Sequence, residues 1–239
     1  MKLLFLLGLT GVGKSTAVVA LQDADSPFIL LPNRRTLTDE RIIPEMQWAA
    51  GKSLEPVTDR LGRFELTRRY RESYPGGMVH ALSTYLVANP PKEGSALVFD
   101  NLRGLDEAKA ATETFPDARF ILLDAPPLVR VQRLVGRADV FDKVSGVGLE
   151  RTSFTEQLSV IDGIDTIFDI QALALLAAQG VPRSDLLKAV HIILAESQNY
   201  DMAAAASYLR RVKDAHAFLQ LDTAALSRED VQAQIRGWL

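Results

Sequence analysis

The sequence contains no cysteine, only three histidines and no apolar run long enough to span a membrane. The absence of cysteine excludes disulfides, zinc–thiolate sites and thiol nucleophiles, and it is typical of a protein in the reducing cytoplasm. His80, His191 and His216 lie far apart and lack metal-ligand spacing. The short apolar segment at the N-terminus predicts a core strand rather than a signal peptide. We therefore expect a cytoplasmic protein without a membrane partner.

Strong net charge is also missing. The 239 residues carry a net charge of −3, with 47% hydrophobic and 24% charged residues. These values indicate an ordinary globular protein of one domain, and they argue against a large non-specific surface for nucleic acid. Nucleic acid is a possible partner, because local basic clusters remain, but it is not favoured. A homodimer is also possible.

A phosphate-binding loop is the strongest motif in the chain. Residues 5–16, FLLGLTGVGKST, follow the pattern G-x-x-x-x-G-K-[ST] between an apolar strand and a helical segment. Glycines in such a loop bring backbone N–H groups close to phosphate oxygens, Lys14 reaches the β- and γ-phosphates, and Ser15 offers its hydroxyl to Mg²⁺. The residues predicted to bind the nucleotide are Gly8, Gly11, Val12, Gly13, Lys14, Ser15 and Thr16.

Five short apolar segments predict an α/β fold. They do not alternate apolar with polar residues, and helical patterns separate them, which indicates a parallel sheet covered on both faces. The candidate strands are residues 3–7, 27–31, 96–99, 119–123 and 217–221. Ser227 and Asp230 form the pattern of a capping box, which predicts a final helix. The expected fold is a three-layer P-loop domain with a central sheet of about five strands flanked by helices.

Two long segments exceed this minimal plan. Residues 33–87 and residues 166–212 are rich in helical patterns, and structureless loops of this length are uncommon inside a compact domain. We predict a single domain over residues 1–239 with two helical insertions, and we expect the choice of substrate to depend on them.

Asp100 follows the third predicted strand. A carboxylate at the end of a strand beside a phosphate loop holds Mg²⁺ or acts as a base toward an acceptor hydroxyl, although Asp also suits a simple turn. Arg103 lies one short turn further on, within reach of an anionic acceptor.

Three arginines follow the fourth predicted strand. Pro126 and Pro127 favour a helix start, and Arg130, Arg133 and Arg137 then recur at helical spacing. Such a face is either solvated or part of a lid whose arginines stabilise the charge of a transferred phosphoryl group. We predict catalytic roles for Lys14 and Asp100, together with Arg133 and Arg137 as the lid arginines.

The motifs GLTGVGKST, VFDNLR, FILLDAPPLVRVQRLVGR and FLQLDTAALSREDV occur in an order that resembles the P-loop small-molecule kinases. The likeness is greatest to the nucleoside and nucleotide kinases, which include thymidylate kinase. The resemblance implies ATP as the donor at the phosphate loop, Mg²⁺ at Ser15 and Asp100, and lid arginines at the transferred phosphate. It also implies acceptor contacts after the second strand, where Arg34, Arg35 and Asp39 lie.

The acceptor side matches this family less well, because a mixed-charge stretch such as NRRTLTDER is also typical of a solvated loop. The resulting hypothesis is a kinase that moves the γ-phosphoryl group of MgATP to a small acceptor, with a nucleoside or nucleoside monophosphate preferred by resemblance. A 5′-hydroxyl polynucleotide kinase and a nucleotide-dependent switch acting on a protein partner are the alternatives.

Overall fold

The computed structural model of the chain describes residues 2–24, 27–135 and 153–239. The strands are β1 (Lys2–Leu7), β2 (Ile29–Leu30), β3 (Ala96–Leu102), β4 (Arg119–Asp124) and β5 (Phe218–Asp222). The helices of the first half are α1 (Lys14–Gln22), α2 (Arg34–Leu37), α3 (Ile43–Ala49), α4 (Arg60–Ser73), α5 (Met78–Ala88) and α6 (Gly104–Thr114). Those of the second half are α7 (Pro127–Leu134), α8 (Phe154–Ser159), α9 (Ile170–Ala178), α10 (Arg183–Asn199), α11 (Met202–Val212) and α12 (Arg228–Trp238). A π-helical turn, Thr38–Ile42, joins α2 to α3.

The strands form one parallel sheet in the order β2-β3-β1-β4-β5. Successive residues of β1 face opposite sides, so Phe5 and Leu7 enter one apolar core while Leu4 and Leu6 enter the other. Helices α5, α6 and α11 contribute to the first core, and α1 and α12 contribute to the second. The predicted three-layer α/β fold with a five-stranded parallel sheet is confirmed.

The predicted strand ends differ by a few residues. β3 continues past Asp100 to Leu102, whose carbonyl accepts a hydrogen bond from the N–H of Gly8 at 3.3 Å, and this contact keeps the strand paired where the phosphate loop begins. The pairing of β1 with β3 shifts register between Phe5 and Leu7. β2 is shorter than predicted. At the other end of the chain, the capping box of Ser227 and Asp230 begins α12 as expected.

A third apolar core is built by helices that precede and form the first part of the second predicted insertion. Phe154, Leu158, Leu173, Leu186 and Ile193 are among its buried residues, which come from α8, α9 and α10 and pack against α7. We call α8, α9 and α10 the helical module. Helix α11 belongs instead to the first core, where it packs against α6. The segment after β4 therefore builds a separate helical core before the chain returns to the sheet.

Candidate phosphate and acceptor site

The phosphate loop, residues 8–15, has its carbonyl groups bonded to side chains. Every carbonyl from residue 8 to residue 12 accepts such a bond. The donors are Lys14 Nζ to Gly8 and Leu9 (2.9 Å each), Arg130 Nε to Thr10 (2.8 Å), Arg133 Nη1 to Gly11 (3.2 Å) and Thr223 Oγ1 to Val12 (2.9 Å). Because the peptides are trans, the N–H group of each peptide points away from its carbonyl. Side chains thus hold the backbone of the loop in one arrangement ahead of α1, and the N–H of Thr10 already donates to a carboxylate, that of Glu196. A loop of this kind is suited to anions.

Glycine is needed at two positions of this loop for different reasons. Gly11 has φ +87°, and a Cβ there would lie only 3.0 Å from the carbonyl oxygen of Arg130. Gly13 has φ +91° at the start of α1, and a Cβ there would have no other atom within 4 Å. Gly11 therefore lets α7 approach the loop, whereas Gly13 borders open space at a helix N-terminus, where a phosphate group is favoured.

Lys14 is the central cation of the loop. The pKa of its ammonium group is lowered from 10.5 to about 8, mainly by burial and then by the positive charge of Arg103, while Glu196 and Asp100 act in the opposite direction. Ser15 is exposed in the first turn of α1, and the N–H of Thr16 bonds to the carbonyl of Gly13 at 3.0 Å. Lys14 is thus a desolvated cation whose protonated form a nearby negative charge would stabilise.

Glu196 of α10 connects the helical module to the loop. Its carboxylate accepts hydrogen bonds from the N–H of Thr10 (2.9 Å) and from the hydroxyl of Thr10 (2.5 Å). It also pairs with Arg103 at 2.9 Å and with Arg130 at 2.6 Å. Glu196 and Arg130 are both buried. This carboxylate was missed in the sequence analysis, although it shares a buried helix face with Ala189 and Ile193, which is an unusual place for a charge.

A cavity of about 370 Å³ opens beside Thr10 and Glu196. Its charged lining comes from Glu196 and three arginines, Arg34, Arg71 and Arg103. Its other lining residues are Thr10, Thr38, Ile42, Thr67, Tyr70, Gly77, Met78, Ile192, Ala195, Asn199 and Tyr200. The cavity therefore lies between the phosphate loop, the first insertion and the helical module, and its size suits a small ligand.

The three residues after the second strand that were predicted to contact the acceptor lie in different environments. Arg34 lines the cavity, but its guanidinium is held by Glu107 at 2.8 and 2.5 Å, and this partner outweighs burial and raises the pKa of Arg34. Arg35 and Asp39 are exposed and lie outside the set of described residues that line the cavity. Asp39 forms an ion pair with Arg63 of α4.

Arg103 lines the cavity next to the loop, and its contact with an anionic acceptor stays a prediction. Its guanidinium lies 5.6 Å from the ring centre of Tyr200, and its Nε is buried without a hydrogen-bond partner among the described residues. Asp100 lies half-buried near Lys14 and accepts a hydrogen bond from the side chain of Asn101. Arg103 therefore keeps a donor for a ligand.

The predicted lid arginines are only partly described. Arg133 of α7 donates to the carbonyl of Gly11 and to both oxygens of Thr223, at 2.8 and 2.6 Å, so it braces the outside of the loop. Arg137 lies outside the described residues, and a lid role for either side chain stays a prediction. Thr223, which follows β5, also escaped the sequence analysis, because nothing near it in the sequence marks it as a neighbour of the loop.

A predicted metal site depends on Ser15 and Asp100. In the described parts of the chain, no group of three or more histidine, aspartate or glutamate side chains could hold a metal ion. A Mg²⁺ ion held by one hydroxyl, one carboxylate, water and phosphate oxygens does not require such a group. None of the described helices combines the length and the apolar character needed to cross a bilayer.

Comparison with known proteins gives distant structural likenesses and no sequence match. No protein-family model matches the sequence, and no curated protein matches it. A sugar kinase from Janibacter sp. HTCC2649, solved without ligand, aligns with 100% of this chain and 94% of its own at 15% identity and a TM-score of 0.48. TT1252 from Thermus thermophilus aligns over 99% and 95% of the two chains at 14% identity and a TM-score of 0.48. Likenesses of this size carry no argument about activity.

Proposed function

We propose that the chain is a P-loop phosphotransferase that moves the γ-phosphoryl group of MgATP to a small anionic acceptor, with a nucleoside monophosphate as the preferred class. The observation that carries this proposal is the phosphate loop, whose carbonyls from residue 8 to residue 12 are bonded to side chains and which leads to open space beside Gly13 at the start of α1. Such a loop at a helix N-terminus, with a desolvated lysine, is suited to polyphosphate.

The residues of the loop fit the donor. Open space beside Gly13 and the charge of Lys14 would accept the phosphates, while Ser15 and Asp100 would supply oxygen ligands to Mg²⁺. When bound, Mg²⁺ supplies positive charge against the phosphate oxygens. Lys14 adds its own charge at the same place, and burial strengthens that interaction because little water screens it.

The neighbouring cavity supports an acceptor that already carries negative charge. Glu196 is the one carboxylate among the described residues of its lining, and two guanidiniums hold it. Both oxygens of Glu196 are occupied by Thr10, Arg103 and Arg130, so neither is placed to take a proton from an acceptor hydroxyl. The exposed Asp39 lies outside the same set. Arg71 and Arg103 instead offer positive charge, which suits a phosphate acceptor that needs orientation rather than deprotonation. Preference for a nucleoside part rests on the resemblance to nucleotide kinases.

An acceptor panel tests this function. ADP formation from MgATP is measured with nucleosides, nucleoside monophosphates, sugars, sugar phosphates and no acceptor. We expect stimulation by a phosphate-bearing compound and not by its unphosphorylated counterpart. The Lys14→Met variant should lose about 100-fold or more of the turnover, because it removes transition-state charge stabilisation. The Lys109→Met variant, which changes an exposed lysine of α6, is the matched control.

Three results would count against the proposal. Turnover unaffected by Lys14→Met or by removal of Mg²⁺ would exclude the mechanism. Stimulation only by oligonucleotides, with a steep salt dependence of their binding, would indicate a polynucleotide kinase instead. ATP hydrolysis seen only with a protein partner would indicate a switch.

A further inference from the structure

We propose that Glu196 is a positioning residue that holds Arg103 and Arg130 on the phosphate loop, so that the helical module forms part of the donor site. This inference rests on the proposed function. It assigns a role to an insertion whose position in the chain, after β4, is far from the loop. No part of it requires Glu196 to contact a substrate.

The two carboxylate oxygens of Glu196 divide the contacts evenly. Oε2 accepts from the N–H of Thr10 and from Nη2 of Arg130, while Oε1 accepts from the hydroxyl of Thr10 and pairs with Nη1 of Arg103. Arg130 Nε in turn donates to the carbonyl of Thr10 at 2.8 Å. Arg130 and Glu196 therefore hold the carbonyl, the N–H and the hydroxyl of Thr10, and Oε1 of Glu196 also sets the place of Arg103.

The charges explain why these arginines need a partner. Lys14, Arg103 and Arg130 are close enough for their positive charges to disfavour one another, and burial weakens screening between them. Negative charge reaches Lys14 from Glu196 and Asp100. It reaches Arg130 from Glu196 and Asp124, so Glu196 acts on both cations. Without Glu196, repulsion should drive Arg103 outward, because its Nη1 loses this ion pair and its Nε has no hydrogen-bond partner within the described chain.

Attachment of the helical module to the rest of the protein does not explain why a charged residue, Glu196, is buried in α10. Leu186, Val190 and Ile193 of α10 are fully buried in the module's own apolar core. An apolar side chain in place of a buried ion pair is often neutral or stabilising, so packing alone gives no reason for a carboxylate here. The contacts of Glu196 with the loop do give one.

The test compares Glu196→Gln, Glu196→Asp and Asp185→Asn. Gln keeps the shape and removes the charge, and Asp keeps the charge on a shorter side chain. Asp185→Asn removes a charge from the exposed start of the same helix. With the acceptor found in the panel, Glu196→Gln should lower kcat about 30-fold and raise the KM of the acceptor, since Arg103 lines the cavity. Glu196→Asp should recover part of this loss, and Asp185→Asn should not change kcat.

A second readout does not depend on activity. The Nε–H signals of Arg103 and Arg130 are assigned in ¹⁵N–¹H NMR spectra with Arg103→Lys and Arg130→Lys. In the ligand-free protein, Glu196→Gln should move or broaden both signals while the backbone spectrum outside the site is retained. Asp185→Asn should leave both unchanged. If Glu196→Gln does not fold, Glu196→Asp carries the same comparison with a smaller change.

Two outcomes separate the hypotheses. Unchanged arginine signals, or a lower melting temperature with unchanged kcat and KM, would reduce Glu196 to a structural residue and overturn the inference. Changed arginine signals in a protein that turns over no acceptor would leave the positioning role intact and count against the proposed kinase activity alone.

Discussion

Lys14 should make the stability of the ligand-free protein increase with pH. Its pKa falls from 10.5 to about 8 on folding, mainly through burial, so the protonated ammonium disfavours the folded state by about 3 kcal/mol. This cost is present in full below about pH 8 and disappears as the pH rises toward 10.5, because the unfolded state then binds more protons than the folded one. Between pH 7 and pH 9.5 the recovered stability should be about 2 kcal/mol.

The assay is denaturant unfolding of the wild type and of Lys14→Met at several pH values. Subtraction of the variant removes the titration of the other groups, so the difference in unfolding free energy should rise in favour of the wild type by about 2 kcal/mol. Lys109→Met should follow the wild-type profile. A difference that stays flat or falls with pH would refute the reasoning. Saturating tripolyphosphate should abolish the rise, since a bound anion favours the protonated amine.

Two further substitutions test the packing around the site. Gly11→Ala should destabilise the protein by about 2 kcal/mol, because it combines a positive φ with a close contact to Arg130. Gly94→Ala, at φ +79° with open space around it, should cost only about 1 kcal/mol. Thermal unfolding measures both losses of stability. Glu107→Gln should cost about 2 to 4 kcal/mol in denaturant unfolding, because it leaves the guanidinium of Arg34 without its charge partner.

Each of these predictions has a result that would contradict it. Equal losses for Gly11→Ala and Gly94→Ala would mean that α7 yields to a side chain at position 11. For the ion pair, Glu65→Gln provides the comparison, because Glu65 pairs with Arg68 on the exposed face of α4. If this surface change destabilises the protein as much as Glu107→Gln does, burial is not what makes the Arg34 pair important.

The sequence was sufficient for features that depend on neighbouring residues. The spacing of Gly8, Gly13 and Lys14 predicted the loop, and the uninterrupted apolar runs predicted the parallel sheet, because strand burial and loop geometry are local patterns. The last helix was predicted from its capping box for the same reason. The end of β3 was less accurate, since its last residues are paired through a contact with Gly8 that no local pattern records.

Long-range ion pairs limited what could be predicted of the site. Glu196 lies 186 residues from Thr10 in sequence, and a single glutamate in a helix does not indicate which loop it will meet. The same limit applies to Asp39, where a run of mixed charges could not show that its partner is Arg63 rather than a substrate. The resemblance implied acceptor contacts after the second strand, but the charges that line the cavity depend on pairs that only the folded chain brings together.

The bonded carbonyls of the phosphate loop have a consequence for how a ligand arrives. The side chains that hold them come from α1, α7 and the residue after β5, so folding itself pays the conformational entropy of ordering the loop. Little of the interaction energy of an incoming polyphosphate is then offset by the ordering of the backbone. Association should accordingly follow a single step whose observed rate rises linearly with ligand concentration, without the plateau that a slow rearrangement of the loop would impose.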